Sequence, residues 1–419
     1  MSWKSIARDD VKSFKTLGLL GEIFRLSMKM QKDGESFLPL HLGDPARFDF
    51  PPLPSFKDGI IKALDNPLSY AYGNPQGYMP LVEKIADIEG VEPRYVFTGN
   101  GVSDMMDKFF NATAIKGTNV LLPAPVFAPY FDLNTKNNIE SRLYRCDPQT
   151  WQPIFNSLES QIDDSTSIIL INSPNNPTGA VYQESVIKAI IQLADEIGKK
   201  RRSQNIPPLC LIFDEIYSEH YFDEKPADIR PLIADKDFSW VIFNGASKAF
   251  NATGLRMGYA VVGGAEKEAM REVLYNECIL PLCMNLPYQA GYLAALSDPA
   301  KFDYFAGNRA KLKKRRDLML KAFAKIPGIS AVKPQGAFYM IIKMDTEFRT
   351  DLDLGLSLLS EVKICTSQLS AFFDDKTHPG GTMLRLVILP PEDVLEDAMT
   401  RIASFMERHG KDGSNSKDA

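Results

Sequence analysis

The chain has 419 residues, 44% of them hydrophobic and 24% charged, with a formal net charge of −5. This is a globular composition with length enough for two domains, and its acidic balance excludes nucleic acid or an anionic membrane as the expected partner. No apolar run approaches the ~20 residues that cross a bilayer, and Met1-Ser2-Trp3-Lys4 lacks the apolar core of a secretory signal. Cysteines at 146, 210, 278, 283 and 365 show no paired CxxC spacing, which points to reduced thiols and a cytoplasmic setting. In that setting the sequons Asn111-Ala-Thr113 and Asn251-Ala-Thr253 are chance matches. The short basic runs at 199–202 and 311–316 read as solvated helix ends or loops.

In chain order, residues 1–36 read as an N-terminal arm and 37–52 as a segment of a smaller domain. Residues 53–300 read as a large domain. Short apolar runs at Asn119-Val-Leu-Leu122, Ser167-Ile-Ile-Leu-Ile-Asn172, Leu209-Cys-Leu-Ile-Phe213 and Trp240-Val-Ile-Phe243 have the continuous hydrophobicity of strands buried on both faces. Amphipathic stretches such as Glu184 to Lys199 separate them, so the expectation is α/β, a mainly parallel sheet with helices on both faces. Long helices from Pro287 to Lys325 lead into a small α+β domain over 301–409. Its predicted strands are 336–343, 362–366 and 383–388, and its closing helix runs from about Pro391 to Arg408. The small, polar residues 410–419 are expected to be a disordered tail.

Chemistry-bearing motifs follow the apolar runs. Asn172-Ser-Pro-Asn-Asn-Pro-Thr-Gly179 follows one, Asp214-Glu-Ile-Tyr217 another, and Asn244-Gly-Ala-Ser-Lys248 a third, with Arg256 eight residues further on. Each motif begins where a parallel strand ends, the edge at which open α/β sheets bind ligands. Lys248 offers an amine that becomes nucleophilic once its pKa falls. Asp214, beside Phe213 and Ile216, is a carboxylate short of water that needs a cationic partner, such as a pyridinium nitrogen. Tyr217 and Asn176 can donate to a ring phenolate, and Arg256 offers a fork for phosphate. Thr98-Gly-Asn-Gly-Val-Ser103 opens a helix whose free amides suit a phosphate, and Phe127 offers an aromatic face for stacking. Alone, each has an ordinary explanation: a solvated lysine, an N-capping aspartate, a turn, a core aromatic. Their joint occurrence in this order outweighs those readings.

With these motifs the sequence resembles the fold-type I, class I and II aminotransferases, from about Leu40 to Phe405. It is most similar to the glutamate–pyruvate (alanine) branch. Gly99-Asn-Gly-Val-Ser103, Pro123-Ala-Pro125, Asn175 to Tyr182, Asp214 to Tyr217, Phe243 to Lys248 and Val332 to Met340 carry the likeness. The resemblance implies a pyridoxal 5′-phosphate enzyme that exchanges an amino group between an L-α-amino acid and a 2-oxo acid. By it Lys248 holds the cofactor covalently and moves the Cα proton. Asp214 holds the pyridine nitrogen, and Tyr217 and Asn176 hold the ring oxygen. Arg256, Ser247 and the backbone of Gly101 and Val102 hold the phosphate, with Phe127 at the stacking position. Tyr72 reaches the phosphate of a partner subunit, which implies a homodimer with shared sites. Arg385 and the Gly43 amide take the substrate α-carboxylate.

Four departures stand out. Phe127 occupies a stacking position that is often tyrosine or tryptophan. Gly245 occupies a position where many relatives have serine. Leu17-Gly-Leu-Leu20-Gly21 replaces the Tyr-x-x-Arg-Gly of the alanine branch. Arg47 stands where that branch often has proline, which makes it a candidate for a distal substrate carboxylate. The rival readings are a β-lyase or related elimination enzyme on the same scaffold and a non-catalytic ligand-binding regulator. The intact Lys248, Asp214 and Arg385 and the lack of a basic module argue against the regulator.

Overall fold

Strands and helices alternate along the chain, as the spacing of its apolar runs requires. The computed structural model describes residues 21–411 apart from 114, 116, 205, 207, 208, 375 and 376. Leu17, Leu20 and positions 412–419 of the expected tail lie outside the described residues. The strands are β1 (Leu38–Pro39), β2 (Val96–Asn100), β3 (Asn119–Ala124), β4 (Glu140–Arg145), β5 (Thr166–Asn172), β6 (Cys210–Asp214), β7 (Ser239–Gly245), β8 (Met257–Gly264), β9 (Ile329–Ala331), β10 (Tyr339–Met344), β11 (Ile364–Cys365), β12 (Ser367–Gln368) and β13 (Met383–Val387).

The central sheet has 7 strands in the order β2-β8-β7-β6-β5-β3-β4. β4, β3, β5, β6 and β7 pair in parallel, and β8 runs antiparallel to both its neighbours. Every residue of β3 and β6 is buried, which is why these strands read as unbroken apolar runs rather than alternating ones. Three strands gave weaker signals. β8 contains Gly258, Gly263 and Gly264, residues depleted in strands. Two of them permit close packing: a Cβ at 263 would enter the Trp240 ring, and one at 258 would strike the Val102 amide. β4, with Glu140, Arg142 and Arg145, is an edge strand, where charge is tolerated. β2 is interrupted by Gly99 and polar Asn100.

A second core gathers the C-terminal elements. β12, β13, β10 and β9 form an antiparallel sheet of 4 strands, and β1 joins this part of the molecule by pairing with β11. β10 begins at Tyr339 rather than Gly336, because Ala337 adopts a φ of 52° and Gly336 bridges to Tyr221 instead. The helix Lys301–Phe323 joins the two cores: Phe305 packs in the first, and Leu312, Met319 and Phe323 in the second. The helix Glu22–Lys32 buries Ile23 and Met30 against Leu359 and Cys365. Gly410 and Lys411, assigned to the tail from composition, are instead ordered. Gly410 bridges Thr346, and the Lys411 amide bonds the Asp345 carbonyl at 3.1 Å, so local backbone pairing outweighs their polar character.

Candidate active site

Because β5, β6 and β7 are neighbours, their carboxyl ends bring three distant motifs side by side. The Asn172 side chain ties two of these ends together. Its amide donates to the Asp214 carbonyl at 3.1 Å, and its oxygen accepts from the Asn176 amide at 2.9 Å. After β7 the short helix Ala246–Ala249 presents Lys248. The result is one cavity of about 360 Å³. Of the residues singled out in the sequence, Gly43, Val102, Phe127, Asn176, Asp214, Tyr217, Ser247, Lys248, Arg256 and Arg385 line it.

Lys248 is surrounded by protein, and burial holds its amine down to about 8. Nζ donates to the Gly43 carbonyl at 2.7 Å. Roughly one amine in ten is then neutral at pH 7, against fewer than one in a thousand for an ordinary lysine. Asp214 is pushed up to about 6 by burial, opposed by hydrogen bonds from the Tyr130 hydroxyl and the Ile216 amide. Both bonding partners are neutral. A buried carboxylate so placed favours a cation brought beside it.

Arg385 lies at the other end of the cavity. Nη1 donates to Asn176 Oδ1 at 3.1 Å, and Nη2 to the His41 carbonyl at 2.6 Å and to Ser367 Oγ at 3.1 Å. These acceptors are neutral, and among the described residues the buried Nε has no partner. The guanidinium sits between the rings of Tyr339 and Phe372, 4.5 and 4.9 Å from their centroids. A desolvated planar cation with an unused donor suits a carboxylate.

The third corner suits a phosphate. The helix Val102–Thr113 points its N-terminus at the cavity, and Val102, Ser103 and Ser247 line that side. Arg256 adopts a left-handed conformation, with φ 52°, that carries its guanidinium over Gly101. A Cβ at 101 would collide with that guanidinium, so the glycine keeps the approach open. Among the described residues Arg256 bonds only the Thr253 and Asn100 carbonyls, at 2.9 and 3.3 Å, which leaves its charge for an anion. Gly245 has a packing reason: a side chain there would run into the Met257 carbonyl and Gly258 across the β7–β8 pair. An anion corner, a cation-seeking carboxylate and a depressed lysine in one cavity fit pyridoxal 5′-phosphate.

Three expected residues lie apart. Gly101 is in the cradle but behind Arg256 and Val102. Tyr72 is 83% exposed and outside the cavity. Arg47 is also outside its lining; Asp44, three residues back, pairs with its guanidinium at 3.0 Å, and its side chain is 68% exposed. Other lining residues were not singled out from sequence: Phe24, His41, Ser103, Tyr130, Tyr339 and Ser367. Tyr130 follows Phe127 at helical spacing and Tyr339 lies in a quoted motif, but both read equally well as core aromatics.

Residues 37–402 match the family model of aminotransferases of class I and II. The alanine aminotransferase of Mycobacterium tuberculosis is 30% identical over 400 residues, 92% of this chain and 89% of that protein. The glutamate-pyruvate aminotransferase AlaA of Escherichia coli K12 is 28% identical over 92% of this chain and 94% of its own length. The structure of an alanine aminotransferase from Pyrococcus furiosus superimposes with a TM-score of 0.88 at 29% identity, covering 96% of this chain and 100% of that one. Fold, cavity chemistry and sequence agree: this chain belongs to the class I and II aminotransferases, enzymes that work with pyridoxal 5′-phosphate.

Proposed function

We propose that this aminotransferase exchanges amino groups between alanine and 2-oxoglutarate, and between glutamate and pyruvate. The observation that carries the reading of the site is Arg385, a buried cation with neutral partners and, among the described residues, a free Nε, across one cavity from Lys248. The names of the relatives support the substrate pair. Arg385 clamps the substrate α-carboxylate, helped by Asn176 and the Gly43 backbone, and so turns Cα toward Lys248. Lys248 would hold the cofactor covalently at rest; its freed amine takes the Cα proton as general base and, as general acid, would deliver it to the cofactor's C4′ carbon. Pyridoxal phosphate, when bound, supplies a ring that accepts the electron pair left at Cα. Asp214 would hold a proton on the ring nitrogen, Tyr217 and Asn176 would hold the ring oxygen, and Phe127 would pack on the ring face. Val102, Ser247, Arg256 and the Gly101 backbone would hold the phosphate.

Arg385→Lys tests this reading. Replacing a bidentate fork by a point charge should lower kcat/KM by about 10²-fold or more for amino and oxo acids alike. A loss confined to one substrate would remove Arg385 from the α-carboxylate. Mixing the holoenzyme with single amino acids tests the substrate pair. Alanine and glutamate should each bleach the cofactor's visible band, and inertness toward both would overturn the assignment.

The same reading includes a homodimer in the cytosol. The free thiols of all five cysteines support a reducing compartment. Leu68, Tyr70 and Tyr72 are strongly exposed, and Leu280 is 76% exposed. Gly73 lies against Cys283, and the helix Leu286–Ser297 packs on Pro54–Leu64, so these residues share one apolar face of the kind that a second copy covers. Light scattering should give twice the chain mass, and Leu68→Asp with Leu280→Asp should yield an inactive monomer. A parent protein that is monomeric and fully active would refute the shared site.

A further inference from the structure

Tyr339 is given no role by the preceding assignments, yet it touches three parts of the site. Its hydroxyl lies 2.9 Å from that of Tyr217. Its ring carries the Arg385 guanidinium at 4.5 Å. Its hydroxyl also lies where a side chain at Gly43 would collide with it, so Gly43 is the residue that admits it. Both tyrosines are buried, at 3% and 4% exposure, so the contact is shielded from water that would otherwise compete for it.

A phenol has one hydrogen to donate. If Tyr217 gives its hydrogen to the cofactor's ring oxygen, as proposed above, it can only accept in its contact with Tyr339. We propose that Tyr339 is a positioning residue: its hydroxyl donates to Tyr217 and so strengthens the bond that Tyr217 donates to the ring oxygen. The inference rests on the reading of Tyr217 under Proposed function. Accepting one hydrogen bond makes a hydroxyl a better donor of the next. The cation on the Tyr339 ring face draws electron density from the phenol and makes Tyr339 the better donor of the two. With the cofactor bound, its ring oxygen would share a proton with the Lys248 nitrogen. A stronger bond from Tyr217 draws charge off that oxygen, and the shared proton is held less tightly. Tyr339, without touching the cofactor, therefore lowers the pH at which that proton leaves.

The test is a pH titration of the visible absorbance of the holoenzyme in four forms: parent, Tyr339→Phe, Tyr217→Phe and the double variant. Circular dichroism checks that each is folded. Tyr339→Phe should raise the midpoint by roughly half a pH unit, in line with a modest cooperative strengthening of one bond. Tyr217→Phe should raise it further. In the Tyr217→Phe background the second substitution should add nothing, because its route has gone. Placing 3,5-difluorotyrosine at 339, a stronger donor, should move the midpoint down. An unchanged midpoint in Tyr339→Phe, or an equal rise in both backgrounds, would overturn the role of Tyr339 while the cofactor reading stood. A parent protein with no visible cofactor band would overturn the cofactor reading, and this inference with it; a band that does not titrate would overturn this inference alone.

Discussion

Lys248→Ala is expected to lower turnover by on the order of 10⁴-fold or more, since it removes both the covalent anchor and the group that moves the Cα proton. The protein should still fold. Lys248 sits in a helix of 4 residues at the cavity, and its Nζ satisfies one acceptor, the Gly43 carbonyl. The cofactor should still bind through the anion corner and Asp214, without a covalent link. Borohydride reduction followed by mass spectrometry would read this directly, with a cofactor adduct on Lys248 in the parent and none in the variant. Turnover near the parent rate would dismiss Lys248. The depressed pKa gives a second reading. Capture of the aldehyde by the apoprotein needs the neutral amine, so its rate should climb as pH rises toward about 8 and level off above it.

Asp214→Asn should cost several orders of magnitude in kcat while leaving the apoprotein folded and more stable at neutral pH. The activity loss follows because an amide cannot hold the proton on the ring nitrogen, and each pKa unit lost there is worth about 1.4 kcal/mol. The stability gain follows from the sign of the Asp214 shift. Burial raises its folded-state pKa from 3.8 to about 6, so the unfolded chain favours the ionised form more than the native one does. Above about pH 6 the carboxylate is charged in both states, and its burial costs on the order of 3 kcal/mol. That cost fades as pH falls toward 3.8, where the folded protein has already taken up the proton. Asparagine removes the charge and keeps one oxygen for the Ile216 amide, while its NH2 group takes the other oxygen's place and donates to the Tyr130 hydroxyl, which turns to accept. Thermal denaturation of both apoproteins at pH 5 and pH 8 would measure it: the advantage of the variant should be larger at pH 8. A variant that is unfolded, rather than folded and inactive, would make Asp214 chiefly structural.

The central strands β5, β6 and β7 were legible in the sequence because burial on both faces leaves continuous apolar runs, and a polar motif follows each. That pattern was enough to place Asn176, Asp214 and Lys248 at one edge of a parallel sheet. What it could not do was distinguish an aromatic with a polar task from one that only fills space. Tyr130, in the helix Pro129–Lys136, reaches Asp214 at the end of β6, and Tyr339 reaches Tyr217 because β10 starts two residues after the left-handed Ala337. Both contacts join residues more than eighty positions apart, beyond any local period. Arg47 marks the opposite case. Its place four residues from Gly43 makes it a candidate to face the substrate, but the turn Pro45–Arg47 directs it outward to Asp44. Local sequence determined which residues carry charge and where strands end. Which charges face the cavity and which face water was decided by turn geometry and by helices that cross the strand ends, because side-chain direction depends on backbone dihedrals that distant packing selects.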